Sequence, residues 1–309
     1  MVTMRDGYSW FRHALASARW VFGPFAVLFL VVAGIGARGT FENVVRHAHW
    51  PALIIAVLLW SALHLLSPAF TWVVLRGFGT NVRYVDALAI HVNRLPARYL
   101  PGGIWHTVSR VVDLHGKGVS RTQLATMVAL ENILPVSVAL VLGGAFLLAA
   151  GQDSRPGAAC MMGGVAILAC LPALLRHRAV ADCRMAGGTY FLAISITAAF
   201  WLVAATAFAR YWLAFPAQAE SGLADIYAAY LLGWASGFIA VFAPQGLGVF
   251  ESVAGALLRG ALPFAGATML VAGFRVTILA ADVIAYALFS AVRFARRKTH
   301  VDTISNGRL

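Results

Sequence analysis

Glu131, Arg275 and Asp282 lie inside long apolar runs. A lone charge at the centre of a bilayer costs roughly 3 kcal/mol by insertion scales, so such groups face a cavity or one another. Glu131 stands 30 residues after Pro101, and Arg275 stands 31 after Pro244, so both follow a Pro/Gly interruption by nearly the same distance. Asp282 follows Arg275 by seven residues, two turns along the same helical face. Two readings suit this set. One is a polar pathway through the membrane. The other is an internal Glu131–Arg275 salt bridge that fixes packing. Glu131, Glu251 and Asp282 are the candidates for charge balance or proton coupling.

Arg94, Arg98, His106 and Arg110 surround the first interruption, Pro101-Gly102-Gly103. Arg94 and Arg98 share a face only if the arm stays helical across Pro96. An arm starting near Ile104 would turn its free N–H groups and its dipole toward an anion at the turn. Arginine forks match phosphate oxygens bidentately. Gln245 and Gly246 occupy the second interruption. The substrate-binding candidates are therefore Arg94, Arg98, Gly102, Gly103, His106, Arg110, Gln245, Gly246 and Arg275, with a phosphate-bearing lipid headgroup as the natural ligand. The alternative is that these arginines snorkel to the interface and hold the segment in place.

Other reactive residues point nowhere sharper. His64 reads more simply as a satisfied buried histidine than as a proton relay. His47 and His49 have no carboxylate or third ligand beside them, and Cys160, Cys170 and Cys183 form no CxxC pair. Gly246-Leu247-Gly248 lacks the βαβ setting of a dinucleotide site. No nucleophile–base arrangement stands out, so no catalytic residue, cofactor or metal is expected.

The elements that must position these groups are membrane helices. Of the 309 residues, 61% are hydrophobic and 12% are charged. A soluble domain carries about 25% charged residues. The apolar runs are long rather than alternating, which fits helices of about 20 residues and not barrel strands. The net charge of +12 would suggest nucleic acid in a soluble protein. Here it fits basic cytoplasmic loops, and no nucleic-acid partner is expected. Spans are predicted at Trp20–Ala37, Trp50–Leu75, Thr122–Ala150, Gly157–Leu175, Gly187–Ala209 and Ala261–Val292. The first is read as a retained helix rather than a cleavable signal.

Tyr84–Lys117 and Asp225–Arg259 are each two helix-length arms around a Pro/Gly break. Irregular backbone at membrane depth must be buried in protein or line a wet cavity. Both are predicted to be re-entrant hairpins, the alternative being kinked helices or surface helix pairs. With both termini cytoplasmic, 18 of the 24 Lys and Arg residues fall inside and five outside, with Arg275 within a span. The fold class is an all-α polytopic membrane protein of about six transmembrane helices plus two re-entrant helical hairpins in an inverted repeat. The first half-repeat is 20–150, the inverted second 157–292, and 293–309 is a basic cytoplasmic tail of one membrane domain. Short matches support a repeat: Leu100-Pro101-Gly102-Gly103-Ile104 against Ala243-Pro244-Gln245-Gly246-Leu247, and Ala125-Thr126-Met127 against Ala267-Thr268-Met269. Paired broken helices in inverted repeats are a transporter architecture.

Two blocks carry a family resemblance. The first is Arg98-Tyr99-Leu100-Pro101-Gly102-Gly103-Ile104-Trp105 with Arg110, Gly118-Val119-Ser120 and Glu131; the second is Pro244-Gln245-Gly246-Leu247-Gly248-Val249-Phe250-Glu251 with Arg275. Together they resemble the flippase-like transmembrane family named from the membrane region of lysylphosphatidylglycerol synthases, over most of the chain. The resemblance implies movement of a phospholipid or a polyprenyl-phosphate-linked precursor between leaflets of a bacterial inner membrane. Envelope biosynthesis enzymes are the implied partners. Synthase activity is not expected, because the sequence ends at Leu309 with no aminoacyl-transferase domain. The second block has Pro-Gln-Gly where the family pattern has Pro-Gly-Gly, so that turn is expected to differ. A membrane-embedded enzyme with Glu131 as base, or an accessory scaffold in envelope lipid or glycan biosynthesis, is the alternative function. Oligomeric state is open.

Overall fold

The computed structural model describes residues 46–99, 104–151, 154–215, 221–241, 243–258 and 262–306. The predicted span at Trp20–Ala37 lies outside them. All regular structure among the described residues is helical. In chain order the helices are α1 (Trp50–Gly77), α2 (Tyr84–Asn93), α3 (Trp105–His115), α4 (Arg121–Ala149), α5 (Ser154–Leu174), α6 (Gly187–Trp212), α7 (Leu223–Ile239), α8 (Val249–Leu257) and α9 (Phe264–Asn306). Five of them, α1, α4, α5, α6 and α9, are long and apolar enough to cross a membrane. They match the predicted spans to within a few residues, except that α9 runs on to Asn306 instead of stopping at Val292. The chain is thus an all-helical, multi-pass membrane protein.

Local signals explain the ends. Pro51 sits in the first turn of α1, where its missing N–H costs nothing. Ser120 and Gln123 form a reciprocal capping box at the start of α4: the Gln123 N–H donates to Ser120 Oγ at 3.2 Å, and the Ser120 N–H donates to Gln123 Oε1 at 3.1 Å. Gln123 Nε2 then donates to the Phe78 carbonyl at 3.0 Å, tying this cap to the end of α1.

Small residues let the long helices approach, as in other membrane bundles. A Cβ on Gly144 would collide with the Gly157 carbonyl, and one on Gly164 with the Ser137 carbonyl, so α4 and α5 touch backbone to backbone. An aromatic core fills the space between α1, α6, α7 and α9. Phe274 is its hub, with ring centroids of Phe208 at 5.1 Å, Trp60 at 5.3 Å and Tyr211 at 5.3 Å. Two of the polar tips find partners: Tyr211 Oη donates to the Leu270 carbonyl at 2.7 Å, and Trp201 Nε1 to the Pro135 carbonyl at 2.8 Å. Apolar side chains such as Leu58, Leu65, Met162, Val165, Phe191, Val276 and Leu288 point outward, which suits a lipid solvent.

The short helices come in two pairs around irregular backbone. In the first pair, α2 ends at Asn93, Arg94 is its C-cap, and Leu95–Tyr99 form a 3₁₀ turn. Arg94 and Arg98 therefore do not share one α-helical face. Asp86, at the start of α2, binds Arg83 Nε at 3.1 Å and Lys117 Nζ at 3.0 Å, so the chain after α3 returns to where α2 began. These two cations hold the Asp86 carboxyl below its ordinary range. In the second pair, α7 and α8 join through a 3₁₀ turn at Pro244–Gly246. Gln245, Gly246 and Gly248 have φ of +53°, +67° and +83°. Gly246 needs its missing side chain, because a Cβ there would lie 2.9 Å from Gly237 Cα.

Candidate functional site

Each predicted intramembrane charge has a partner, and the partners come from the helix breaks. On α3, Arg110 is buried and grips Glu131 of α4 with both terminal nitrogens: Nη2 to Oε1 at 2.7 Å and Nη1 to Oε2 at 3.2 Å. Thr71 of α1 completes this cluster. Its hydroxyl accepts from Arg110 Nη2 at 2.8 Å and donates to Glu131 Oε1 at 2.7 Å. On α8, Glu251 is fully buried and accepts from Arg275 Nε of α9 at 2.6 Å and from the Gly248 N–H at 2.7 Å. That second contact sets a carboxylate on the first turn of α8, where the helix dipole favours negative charge. Arg275 Nη2 also donates to the Gln245 carbonyl at 3.3 Å, and its guanidinium lies 5.9 Å from the centre of the Phe250 ring.

The Glu131–Arg275 salt bridge weighed from the sequence is therefore not the arrangement. Each residue pairs with an opposite charge from the break that precedes it. Arg275 and Asp282 also part company, although they share a face of α9. Asp282 Oδ2 accepts from Tyr99 Oη at 2.7 Å and from Arg98 Nη1 at 3.3 Å. Its other oxygen, Oδ1, stands 3.0 Å from His64 Nε2, an ion-pair distance without hydrogen-bond alignment. So α9 holds the second break through Arg275 and the first through Asp282, about 10 Å apart at 1.5 Å per residue.

Gln245 joins the two breaks directly. Its Nε2 donates to the Arg98 carbonyl at 3.2 Å. The departure from Pro-Gly-Gly noted in the sequence has this consequence: a glutamine takes a left-handed φ that glycine would adopt freely, and its side chain reaches the other break. A non-glycine residue held at positive φ is an observation from which a functional role can be argued.

Of the remaining candidates, Arg94 is clasped by Asp113, with Nε to Oδ2 and Nη2 to Oδ1 both at 2.7 Å. This half-exposed bidentate pair fastens the end of α2 to α3 and lies apart from the junction. Gly102 and Gly103 fall outside the described residues. His106 starts α3, with its ring 5.5 Å from that of His91. His91 Nε2 is 3.2 Å from His64 Nδ1. Among the described residues no three His, Cys, Asp or Glu side chains form a metal-binding group.

Four participants were not singled out from the sequence: Thr71, His91, Tyr99 as a ligand of Asp282, and Asp113. Tyr99 lies inside the first family-like block, the one signal the sequence carries for it. Thr71 and His91 contact partners far along the chain, and no spacing rule links them. Compared with known proteins, the chain matches no family model and no curated sequence.

Proposed function

We propose that this protein is a lipid translocase, a flippase-like transporter that moves a phosphate-bearing lipid or lipid-linked precursor between leaflets of a bacterial cytoplasmic membrane. The carrying observation is the junction of the two breaks. There Arg98 and Arg275 lie on either side of Gln245, with side chains 43% and 32% exposed. Two accessible guanidinium groups beside irregular backbone are a fit for phosphate oxygens. Glu131, Glu251 and Asp282 balance the cations so that the site by itself carries little net charge.

The re-entrant, inverted-repeat topology belongs to the same proposal. The order span, short pair, span occurs twice: α1, α2–α3, α4, and then α6, α7–α8, α9. The return of Lys117 to Asp86 supports entry and exit of the first pair on one side. Both termini would then be cytoplasmic, and the resemblance to the membrane region of lysylphosphatidylglycerol synthases points the same way. Irregular backbone at membrane depth that borders a wet cavity is where transporters bind substrate.

The test is movement of fluorescent phosphatidylglycerol in vesicles containing the purified full chain. Arg98→Ala and Arg275→Ala should each slow it by about tenfold or more, from losing a charged hydrogen bond worth about 1.5–3 kcal/mol. Wild-type rates in both variants would remove the proposed binding role.

A further inference from the structure

His64, His91 and His106 come from α1, α2 and α3, yet they line up on the way to one carboxylate. His64 bridges His91 and Asp282, with Nδ1 3.2 Å from His91 Nε2 and Nε2 3.0 Å from Asp282 Oδ1. The His91 and His106 rings meet edge to face at 5.5 Å. Among the described residues, His91 Nδ1 and His106 Nε2 are buried and have no hydrogen-bond partner, so their desolvation is not offset there. His106 stands in the first turn of α3, next to the exposed Ile104 and Trp105 at the break. The chain of rings thus runs from the break into the bundle and ends on Asp282, which is 2% exposed.

Glu131 and Glu251 are each committed to an arginine with good geometry. Asp282 differs. Its tie to Arg98 is the long one at 3.3 Å, and its Oδ1 has no aligned donor. The other charged and titratable groups around the rings are Tyr99 on the 3₁₀ turn, Arg110 on α3, Glu131 on α4 and Tyr230 on α7. Arg110 is paired with Glu131 and Arg98 with Asp282, so each cation near the rings has its own carboxylate.

We infer that His106, His91 and His64 form a proton path ending on Asp282, and that protonation of Asp282 releases Arg98 from α9. With its ring proton on Nε2, His91 donates to His64 Nδ1, and the His64 Nε2–H stands 3.0 Å from Asp282 Oδ1, a turn of the ring away from alignment. A proton from bulk water enters on the side of His106, whose ring packs against His91, and binds His91 Nδ1 once a water or a turn of the ring bridges the two. His91 passes its Nε2 proton to His64 Nδ1, and His64 passes its Nε2 proton to Asp282 Oδ1. One proton enters, one reaches the carboxylate, and both rings end neutral with the proton on Nδ1. Return of the proton, or turnover of the rings, resets the path. The neutral acid no longer attracts the Arg98 guanidinium, which becomes available to an anion. Proton uptake would then prepare the junction for phosphate. That use of Arg98 rests on the translocase reading; the proton path itself does not.

Infrared difference spectroscopy on the full chain in vesicles tests the path without any substrate. Lowering the pH from neutral should raise a protonated-carboxyl band that Asp282→Asn abolishes. Asp282→Glu, which shifts the band rather than removing it, serves where Asn prevents folding. After a pH jump, His91→Gln or His64→Gln should slow its rise by about 100-fold, the low end of what a positioned proton-transfer group contributes. The inference is overturned if the wild type shows no such band, if the band survives unshifted in the Asp282 variants, or if it rises at the normal rate in both histidine variants. Fluorescent phosphatidylglycerol movement in the same vesicles separates the two readings. A normal band response with no lipid movement at any pH removes the translocase and leaves the path. Lipid movement that ignores pH, together with a missing band, removes the path and leaves the translocase.

Discussion

The two breaks carry the same kind of ion pair with the charges exchanged. In the first, the cation Arg110 comes from the short helix and the carboxylate Glu131 from the following span. In the second, the short helix supplies Glu251 and the span supplies Arg275. Burial differs in step. Arg110 and Glu131 are 8% and 17% exposed, whereas Glu251 is wholly buried and Arg275 is 32% exposed. The first pair is thus a sealed clamp, and the second leaves a cation facing the junction. Two similar ion pairs can divide labour, one fixing the bundle and the other presenting charge.

That contrast can be broken by removing one carboxylate at a time. Glu131→Ala should have the largest effect, because it strands a buried guanidinium; breaking such a pair costs about 3–5 kcal/mol. Thermal unfolding of the detergent-solubilised protein would show it. Glu251→Ala should cost less, about 1–3 kcal/mol, since Arg275 can turn toward solvent and the main loss is the acceptor of the Gly248 N–H. Equal losses in the two variants would dissolve the distinction between clamp and presented charge. Gln245→Gly separates geometry from linkage. It relieves a left-handed non-glycine residue, worth about 1–2 kcal/mol, but removes the tie to Arg98. Stability should hold or rise slightly while phosphatidylglycerol movement falls. Arg94→Ala should do least: a half-exposed pair contributes about 0.2–1 kcal/mol, and lipid movement should be unchanged.

Much of the scaffold was legible because it rests on one-dimensional signals. Apolar runs and their flanks place α1, α4, α5 and α6 to within a few residues. The Pro/Gly cluster at Pro244–Gly248 places the second break, and the first lies within the predicted Tyr84–Lys117 segment, between Asn93 and Trp105. The extra length of α9 was not legible, because its basic end looks like a solvated tail whether or not it stays helical. At the site, the intramembrane charges named themselves by their cost. Their pairing did not, since Glu131, Arg275 and Asp282 each offered several partners and only the packing of short helices chooses among them. Gln245 was recognisable as a departure from a pattern, but its reach to Arg98 depends on how the two breaks meet. Thr71 and His91 look like ordinary residues on apolar helices until α1, α2 and α4 are brought together.

The most direct measurement is leaflet exchange of fluorescent phosphatidylglycerol in three preparations: protein-free vesicles, vesicles with the full chain, and vesicles with the Arg98→Ala/Arg275→Ala double variant. The expected result is rapid exchange with the wild-type chain and a rate near the protein-free background for the double variant. A wild-type rate no faster than background, or a double variant as fast as wild type, would contradict the assignment of lipid movement to the junction of the two breaks.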